Sequence, residues 1–291
     1  MGAFSFLTSL LLKNMPSLTQ YTPRALASAL RHHYKKSLGQ NFLIDENITR
    51  TIAREVERFS PTHILEIGPG AGALSVAVVK LGLPYVLLEK DDHCADFLEN
   101  VFADQPHVSI LHADALTADL PEFCFDKAAR PLLVSNLPYN VASQIYFRFI
   151  DGHVPLCGMV LMFQREVAQR FLAEPGTSSY GILSVIAQYY HDIEAVMDVP
   201  PTCFEPAPKV MSTVLRFIPR TLLQSPEDET RFRAFVHAAF RQRRKTLVNS
   251  LNGFEQKDRA AWTEVLRAHG YEPTIRAENL SRKDFLKLID L

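Results

Sequence analysis

From residue 60 onward, short apolar runs alternate with segments of helical periodicity, and this alternation constrains the fold more than any other feature. Three strand-like runs cover residues 63–67, 85–89 and 108–114, and helix-like segments lie between them over 72–82 and 92–102. Strands and helices that alternate in this way form βαβ units, in which helices cover both faces of a parallel sheet. The sequence therefore predicts a doubly wound α/β domain.

The alternation continues as far as Pro219 and then gives way to helical segments. The further strand-like runs cover 131–136, 158–163, 193–199 and 212–218, and the further helices are expected over 141–150, 164–173 and 180–190. Ser225 and Pro226 suit a helix start, because serine caps helices and proline is tolerated in the first turn. We therefore predict a basic N-terminal extension over 1–34, an α/β domain over 35–219 and a small helical domain over 220–291.

The net charge of -1 conceals an uneven distribution of charged residues. Residues 1–44 carry five Lys and Arg and no Asp or Glu, residues 45–219 carry 12 and 22, and residues 220–291 carry 14 and 10. Basic ends around an acidic body suit a polyanion that is held by its phosphates. Solvated faces on an average domain explain this charge pattern equally well.

The composition also argues against several classes of protein. With 47% hydrophobic residues, a chain of 291 residues can bury a large core, so disorder is not expected. The apolar run over 4–12 has no basic residue before it and is too short to cross a bilayer, so we expect neither a signal peptide nor a membrane helix. The four cysteines show no CxxC spacing, and we expect no metal centre and no disulfide framework.

A glycine-rich loop follows the first predicted strand of the alternating region. Glu66, Gly68, Gly70 and Gly72 lie between this strand and the next helix in the sequence LEIGPGAGALS. Glycines at this position permit a tight turn and let backbone amides approach a ligand at the carboxyl edge of the sheet. The spacing is GxGxG and differs from the dinucleotide pattern GxGxxG, and a tight turn without any ligand explains the loop as well.

Acidic residues end the next two predicted strands. Glu89 closes the run YVLLE, where a carboxylate can accept the hydroxyls of a ribose, and Asp114 closes LHAD, where it can accept an adenine amine. Each acid alone is more often a helix cap or a solvated loop residue. Together, beside the glycine loop, they favour a bound nucleoside.

The stretch from Asn136 to Tyr139 follows the fourth strand at the same predicted edge. The side-chain oxygen of Asn136 and the carbonyl of Leu137, turned outward at Pro138, can accept both hydrogens of an aromatic amine. Tyr139 can stack on the ring that carries this amine, and such an arrangement suits the N6 amine of adenine. An Asn-Leu-Pro turn with a half-buried tyrosine is the alternative interpretation.

Six motifs in order resemble one family, the small-subunit (16S) ribosomal RNA adenine N6,N6-dimethyltransferases of the kasugamycin-resistance type. The resemblance covers about residues 35–291. Its motifs are KKSLGQNFLIDENI, LEIGPGAGALS, NLPYN, FQREVAQRF with YGILSV, FEPAPKVMSTV and AFRQRRKTLVNSL.

This resemblance implies a Rossmann-like class I S-adenosylmethionine-dependent methyltransferase fold with a small C-terminal all-helical domain. The family uses S-adenosylmethionine to place two methyl groups on N6 of each of two adjacent adenosines in the terminal hairpin of small-subunit ribosomal RNA. The implied partner is this RNA within a pre-30S particle, and the implied process is small-subunit biogenesis. We expect a monomer in the cytoplasm.

The resemblance also implies roles for individual residues. The cofactor site would comprise Asn41, Leu43, Gly68, Gly70, Glu89, Asp114 and Asn136. The catalytic residues would be Asn136, Leu137, Pro138, Tyr139 and Phe204, with Phe204 helping Tyr139 to hold the extruded adenine. Outside the FEPAPKV pattern, Phe204 would be interpreted as core.

A dense basic run lies within the C-terminal motif. Arg241, Arg243, Arg244 and Lys245 fall within five residues at a predicted helix start, which suits contacts to RNA phosphates. A solvated helix face is the alternative interpretation. The resemblance of the surrounding motif favours RNA contact.

Three rival functions and several origins of the N-terminus stay open at this point. A large-subunit rRNA adenine methyltransferase of the macrolide-resistance type shares the fold and cofactor but resembles this chain less at RRKTL and FEPAPKV. A non-catalytic ribosome-assembly factor would not need an intact NLPYN motif, and a nicotinamide oxidoreductase would require GxGxxG. The first 30 or so residues lie outside the resemblance and suit a transit peptide, a bacterial leader arm or a start that belongs at Met15.

Overall fold

The computed structural model describes residues 18, 21–35, 39–222, 225–242 and 244–290. Within these ranges the chain divides into two compact units. The first comprises Met1–Arg165 and Ala195–Ile218, and the second comprises Glu166–Glu194 and Pro219–Leu291. The helices predicted over 164–173 and 180–190 therefore fall almost entirely in the second unit, although the sequence pattern assigned them to the α/β domain.

The first unit contains most of the strands and the helices that alternate with them. The helices are α1 (Pro23–Ala29), α2 (Glu46–Glu57), α3 (Ala73–Val78), α4 (Asp92–Val101) and α5 (Ala142–Asp151). The strands are β1 (Phe42–Leu43), β2 (His63–Ile67), β3 (Tyr85–Glu89), β4 (Val108–His112), β5 (Pro131–Asn136), β6 (Gly158–Gln164), β7 (His191–Val199), β8 (Phe204–Glu205) and β9 (Ser212–Pro219). Strand β7 crosses the division between the units at Ala195.

Seven strands form one sheet in the order β4-β3-β2-β5-β6-β9-β7. Strands β2 to β6 pair in parallel, whereas β9 pairs antiparallel with β6. The sequence predicted a parallel sheet, so the antiparallel strand is a correction. Alternating βαβ patterns specify strand positions but not the direction of a final strand that returns without a crossover helix.

The interior strands consist of almost continuous apolar residues, as expected for a sheet that is covered on both faces. Leu65, Leu133 and Val160 on three neighbouring strands have no exposed surface. Polar residues appear where β3 and β5 end, at Glu89 and Asn136. The buried core therefore runs along the strands, and polar side chains lie at their carboxyl ends.

Part of the predicted N-terminal extension is packed into the core of the first unit. Helix α1 is capped by Thr22, whose side chain accepts from the amide of Ala25, and Pro23 occupies its first turn. Leu26 and Ala27 are buried in the same apolar cluster as Phe42. Residues 1–17 lie outside the described residues.

The second unit is mainly helical. Its helices are α6 (Arg165–Leu172), α7 (Ile182–Tyr190), α8 (Pro226–Ala239), α9 (Leu247–Leu251), α10 (Arg259–Ala268) and α11 (Arg282–Lys287). The helix start predicted at Ser225 is confirmed, because its hydroxyl accepts from the backbone amide of Asp228. Ser281 caps α11 in the same way, through the amide of Asp284. None of the helices in the described ranges has the length and apolar character that a bilayer span requires.

Candidate active site

The carboxyl ends of strands β2 to β5 border one pocket of the first unit. These strands are neighbours and run parallel, so the residues that follow them meet at one edge of the sheet. The structure brings ten predicted site residues to the lining of this pocket: Asn41, Leu43, Gly68, Gly70, Glu89, Asp114, Asn136, Leu137, Pro138 and Tyr139.

Phe204 does not line the pocket in this arrangement. Its side chain is 3% exposed and belongs to the hydrophobic core of the first unit. Its backbone pairs with that of Leu43, which does line the pocket. Phe204 is therefore one strand pairing away from the pocket, and its role in holding an extruded base stays a prediction.

The glycine loop after β2 adopts a conformation that other residues rarely take. Gly68, Gly70 and Gly72 all have positive φ angles, between +57° and +80°. A Cβ at Gly70 would lie 2.6 Å from Cε1 of Phe42, so the loop and the N-terminal segment pack without room for a side chain. The absence of a Cβ also leaves the amide of Gly70 close to Glu89.

Glu89 is a buried carboxylate that is held by backbone donors. Its Oε2 accepts from the amide of Gly70 at 2.9 Å, and its Oε1 accepts from the amides of Lys90 and Asp91 at 2.9 and 2.8 Å. Burial raises the pKa of this carboxyl group, while the three backbone hydrogen bonds oppose that shift. A carboxylate has about four acceptor positions, so about one is left for a ligand hydroxyl.

Asp114 follows β4 and is held as an anion. Lys90 Nζ donates to its Oδ2 at 2.7 Å, and the amide of Leu116 donates to its Oδ1 at 2.9 Å. The hydrogen bond from Lys90 is the main cause of the lowered pKa of this carboxyl group. An ionised carboxylate at the strand end can accept hydrogen bonds but cannot donate them, which suits an exocyclic amine.

The amide of Asn136 has a defined orientation. Its Nδ2 donates to the backbone carbonyl of Asn41 at 3.1 Å, and this hydrogen bond distinguishes the nitrogen from the oxygen. The side chain of Asn41 in turn donates to the carbonyl of Gly39 at 3.0 Å. The loop that contains Gly39 and Asn41 thus holds the amide nitrogen of Asn136 and leaves its Oδ1 as the acceptor.

Glu66 lines the pocket although the sequence interpretation assigned it no role. It is 1% exposed, and its Oε2 accepts from the hydroxyl of Ser75 at 2.8 Å and from that of Tyr85. Burial is the main cause that raises the pKa of this carboxyl group to about 7. The sequence signal for this buried carboxyl group was the acidic residue inside the apolar run HILEI. A carboxyl group in a buried strand needs hydrogen-bond partners.

The basic run lies in the second unit, in the turn between α8 and α9. Arg241, Arg244 and Lys245 are exposed, and Arg241 donates to the backbone carbonyl of Ser250 at 3.0 Å. Arg243 lies outside the described residues. The run precedes α9 instead of starting it, and its exposed cations are available to phosphates.

Comparison with known proteins identifies the family. A family described as "Ribosomal RNA adenine dimethylase" matches residues 31–291. The chain belongs to this family. The chain is also 40% identical over 263 residues to ribosomal RNA small subunit methyltransferase A of Bacillus mycoides (strain KBAB4), a match that covers 88% of this chain and 90% of that protein. A protein of the same name from Bacillus cereus (strain B4264) matches with the same identity and coverage.

Solved structures show the same fold. A dimethyladenosine transferase from Plasmodium falciparum superposes with a TM-score of 0.71 at 24% identity and covers 84% of this chain and 95% of that one. The 23S rRNA methyltransferase ErmE superposes with a TM-score of 0.68 at 24% identity, covering 86% and 98%. The predicted class I methyltransferase fold and the predicted family are confirmed. This rRNA adenine dimethylase is an S-adenosylmethionine-dependent enzyme that acts on ribosomal RNA.

The pocket fits S-adenosylmethionine. Glu89 retains an acceptor position for a hydroxyl, and the anionic Asp114 suits an amine. A Cβ at Gly68 would lie 3.6 Å from Cδ of Pro138, so the glycine leaves open the space between the end of β2 and residues 136–139. The donor and acceptor set therefore agrees with a cofactor that carries an adenosine group.

Proposed function

We propose that this enzyme dimethylates N6 of two adjacent adenosines in the 3'-terminal hairpin of small-subunit ribosomal RNA and so contributes to small-subunit biogenesis. The identity to proteins named for the small subunit supports that substrate over the large subunit. The orientation of the Asn136 side-chain amide is the observation that supports methyl transfer to an adenine amine. Because its Nδ2 donates to Asn41, its Oδ1 is left to accept a hydrogen from an amine in the pocket.

In this proposal the strand ends hold the cofactor. Glu89 accepts from the ribose and Asp114 from the adenine amine, and the remaining contacts come from Asn41, Leu43, Gly68, Gly70 and Asn136. When bound, S-adenosylmethionine supplies a methyl group whose bond to sulfur breaks, with the electron pair left on sulfur, as a bond to nitrogen forms.

The catalytic motif receives the target adenine after it leaves its stack. Asn136 Oδ1 accepts one N6 hydrogen and the carbonyl of Leu137 accepts the other. These acceptors favour a pyramidal nitrogen with an available lone pair, which an adenine amine otherwise delocalises into its ring. Tyr139 stacks on the base, and Pro138 holds the turn that aims the Leu137 carbonyl.

No strong base is needed at N6 in this mechanism. The nitrogen becomes cationic during transfer, so its proton can leave to water afterwards. The neutral amide of Asn136 stabilises this developing charge through its dipole and through position. The second methylation requires the monomethylated amine to turn so that its remaining hydrogen meets an acceptor.

The second unit supplies phosphate contacts. Arg241, Arg244 and Lys245 are exposed cations in one turn, which suits an RNA backbone. Arg243 belongs to the same proposed set. Loss of these phosphate contacts weakens the binding of RNA of any sequence to the same extent, and it reduces the dependence of the RNA affinity on salt.

The finer context of the substrate belongs to the same proposal. We assign the activity to a monomer in the cytoplasm that acts on a pre-30S particle. No heptad pattern in the sequence calls for a partner helix. Light scattering of the purified protein tests whether it is a monomer, and the distribution of the native protein among cell fractions tests its location. Methyl transfer to naked RNA, compared with transfer to pre-30S particles, tests the substrate.

The function is tested by transfer of labelled methyl groups to small ribosomal subunits that lack adenine dimethylation, followed by mapping of the modified nucleotides. Dimethylation of the two adjacent hairpin adenosines, lost in Asn136→Ala and retained in Asn100→Ala, is the expected result. Asn100 is a suitable control because its amide also donates to a backbone carbonyl, but on the surface of α4. Incorporation into large-subunit RNA would favour the macrolide-resistance type, and no incorporation would favour a non-catalytic assembly factor.

A further inference from the structure

Tyr139 is anchored at the tip of its ring by a residue far along the chain. Its Oη lies 2.6 Å from the Oγ of Ser212. Ser212 is completely buried, while the tyrosine ring lines the pocket. The contact joins the catalytic motif to a strand that the reaction described above does not use.

The position of Ser212 is set by the sheet. It is the first residue of β9 and pairs with Gln164, the last residue of β6. The amide of Arg165 donates to the carbonyl of Met211 at 2.9 Å, which continues the pairing beyond Ser212. A hydroxyl on a paired strand inside the core moves little, so it is a fixed reference point for the ring.

The ring of Tyr139 is restrained at its other end by the turn that carries it. Pro138 precedes it with a restricted φ, and the carbonyl of Pro138 accepts from the amide of Val141 at 3.1 Å. The side chain still has two torsions, and the hydrogen bond at its tip restrains the first of them, which sets where the ring lies. Without that bond the turn would hold the backbone of Tyr139 but leave the ring free to swing about its first torsion.

We propose that Ser212 is a positioning residue that fixes the position of the Tyr139 ring and thereby favours transfer of the second methyl group to the same N6 nitrogen. The inference rests on the proposed N6 dimethylation. Ser212 makes and breaks no bond, and each transfer follows the chemistry stated above.

The second transfer depends more strongly on the position of the ring than the first. An unmodified amine presents two hydrogens to two acceptors, Asn136 Oδ1 and the carbonyl of Leu137, and these contacts orient the base. A monomethylated amine has one hydrogen left and can satisfy only one acceptor. Stacking on Tyr139 therefore carries more of the orientation in the second transfer.

The experiment measures the two transfers separately, in single-turnover reactions on the RNA adenosine that the wild-type protein methylates. The variants are Ser212→Ala and Tyr139→Phe, which remove the same hydrogen bond from opposite ends, and the double variant. Thr213→Val is the matched control, because the Thr213 hydroxyl donates to Asp198 one residue further along the same strand. Melting curves accompany each variant.

We expect Ser212→Ala to raise the ratio of monomethyl to dimethyl product at least fivefold while slowing the first transfer less than threefold. Tyr139→Phe should act in the same direction, and the double variant should be no worse than the more affected single variant. Thr213→Val should keep the wild-type ratio. If Ser212→Ala does not fold, the ratio measured for Tyr139→Phe decides the question.

A wild-type product ratio in Ser212→Ala or in Tyr139→Phe would overturn the inference. Equal slowing of both transfers would do the same, since that outcome indicates a merely structural role. If the changes in the product ratio of the two single variants multiplied in the double variant, the two side chains would act independently, and the inference would be overturned. A wild-type protein that methylates no RNA adenosine would instead contradict the proposed function, so the two failures are distinguishable.

Discussion

Asn136 Nδ2 donates to the backbone carbonyl of Asn41 across 3.1 Å, although 95 residues separate the two in the chain. A direct hydrogen bond therefore joins the loop at Asn41 to residues 136–139. Since a carboxylate has no donor, an aspartate at position 136 would repel the carbonyl that the amide now binds. The orientation of the Asn136 side chain thus depends on Asn41, a residue that the sequence assigned only to cofactor binding.

The first prediction concerns that orientation. Asn136→Asp should lower the rate of methyl transfer on the order of 100-fold or more, because the side chain loses its anchor and its oriented dipole. The melting temperature should change far less than the rate. Single-turnover transfer and thermal melting measure the two effects. Asn100→Asp is the matched control and should keep wild-type activity; a comparable loss of activity there would contradict the argument.

The second prediction uses two glycines with similar backbone angles and different surroundings. Gly70 and Gly82 have φ angles of +57° and +67°, but only at Gly70 would a Cβ meet the ring of Phe42, since nothing lies within 4 Å at Gly82. Gly82→Ala should cost about 1 kcal/mol of stability from backbone strain alone. Gly70→Ala should cost more and should also weaken S-adenosylmethionine binding at least tenfold.

Calorimetric titration of the cofactor and denaturant unfolding separate these effects. Strain is common to both variants, so the difference between them isolates the packing of Phe42 on the glycine loop. Equal cofactor affinities for Gly70→Ala and Gly82→Ala would show that this packing does not shape the pocket.

The third prediction concerns the pH dependence that Glu66 confers on stability. Its pKa is raised from 4.5 to about 7, chiefly by burial, so the folded protein binds this proton more tightly than the unfolded chain. The favourable contribution is complete below about pH 4.5 and is lost as the pH rises to about 7. A pKa change from 4.5 to about 7 corresponds to on the order of 3 kcal/mol.

Glu66→Gln should flatten the profile between those pH values, because an amide oxygen can still accept from Ser75 and Tyr85 but does not titrate. Denaturant unfolding at a series of pH values measures the slope. Glu99→Gln, at an exposed position on α4, is the control and should leave the slope unchanged. A Glu66→Gln profile as steep as that of the wild type would assign the slope to other groups.

Much of the sheet was predictable because each strand is an apolar run that ends at a polar residue. Glu89 and Asn136 end β3 and β5 as the patterns indicated, and the parallel arrangement brought both to one pocket. The pairing of β1 with β8 was not predictable, because each has two residues and shows no periodicity. Local patterns contain no information about such short, distant pairings.

The same limit applies to the site. The strand-end pattern indicated Glu89, Asp114 and Asn136 as pocket residues, and the family resemblance added Asn41 and Leu43. Neither indicated which partners hold these residues. The donor to Asp114 is a lysine 24 residues away, and the anchor of Tyr139 is a serine 73 residues away. Such contacts depend on strand order and register, which the apolar pattern alone leaves open.

The last prediction concerns the second unit, where the pH dependence of stability has the opposite sign to that caused by Glu66. Arg231 and Lys257 donate to Glu255, and the hydrogen bond from Arg231 is the main cause that lowers the pKa of its carboxyl group to about 2. The contribution of Glu255 to stability is therefore present above about pH 4.5 and is lost as the pH falls toward 2. After allowance for solvent screening it amounts to about 1–2 kcal/mol.

Glu255→Gln should reduce the loss of stability on acidification in the second unit, whereas the exposed Glu264→Gln should not. Trp262, the one tryptophan of the chain, lies in this unit with Lys257 Nζ 5.0 Å from its ring centroid, so its fluorescence reports unfolding there. Unfolding is followed by this signal from pH 6 to pH 2. If Glu255→Gln loses stability with acid as steeply as the wild type, the ion pair with Arg231 contributes nothing to the free energy of unfolding. Many exposed ion pairs contribute nothing measurable.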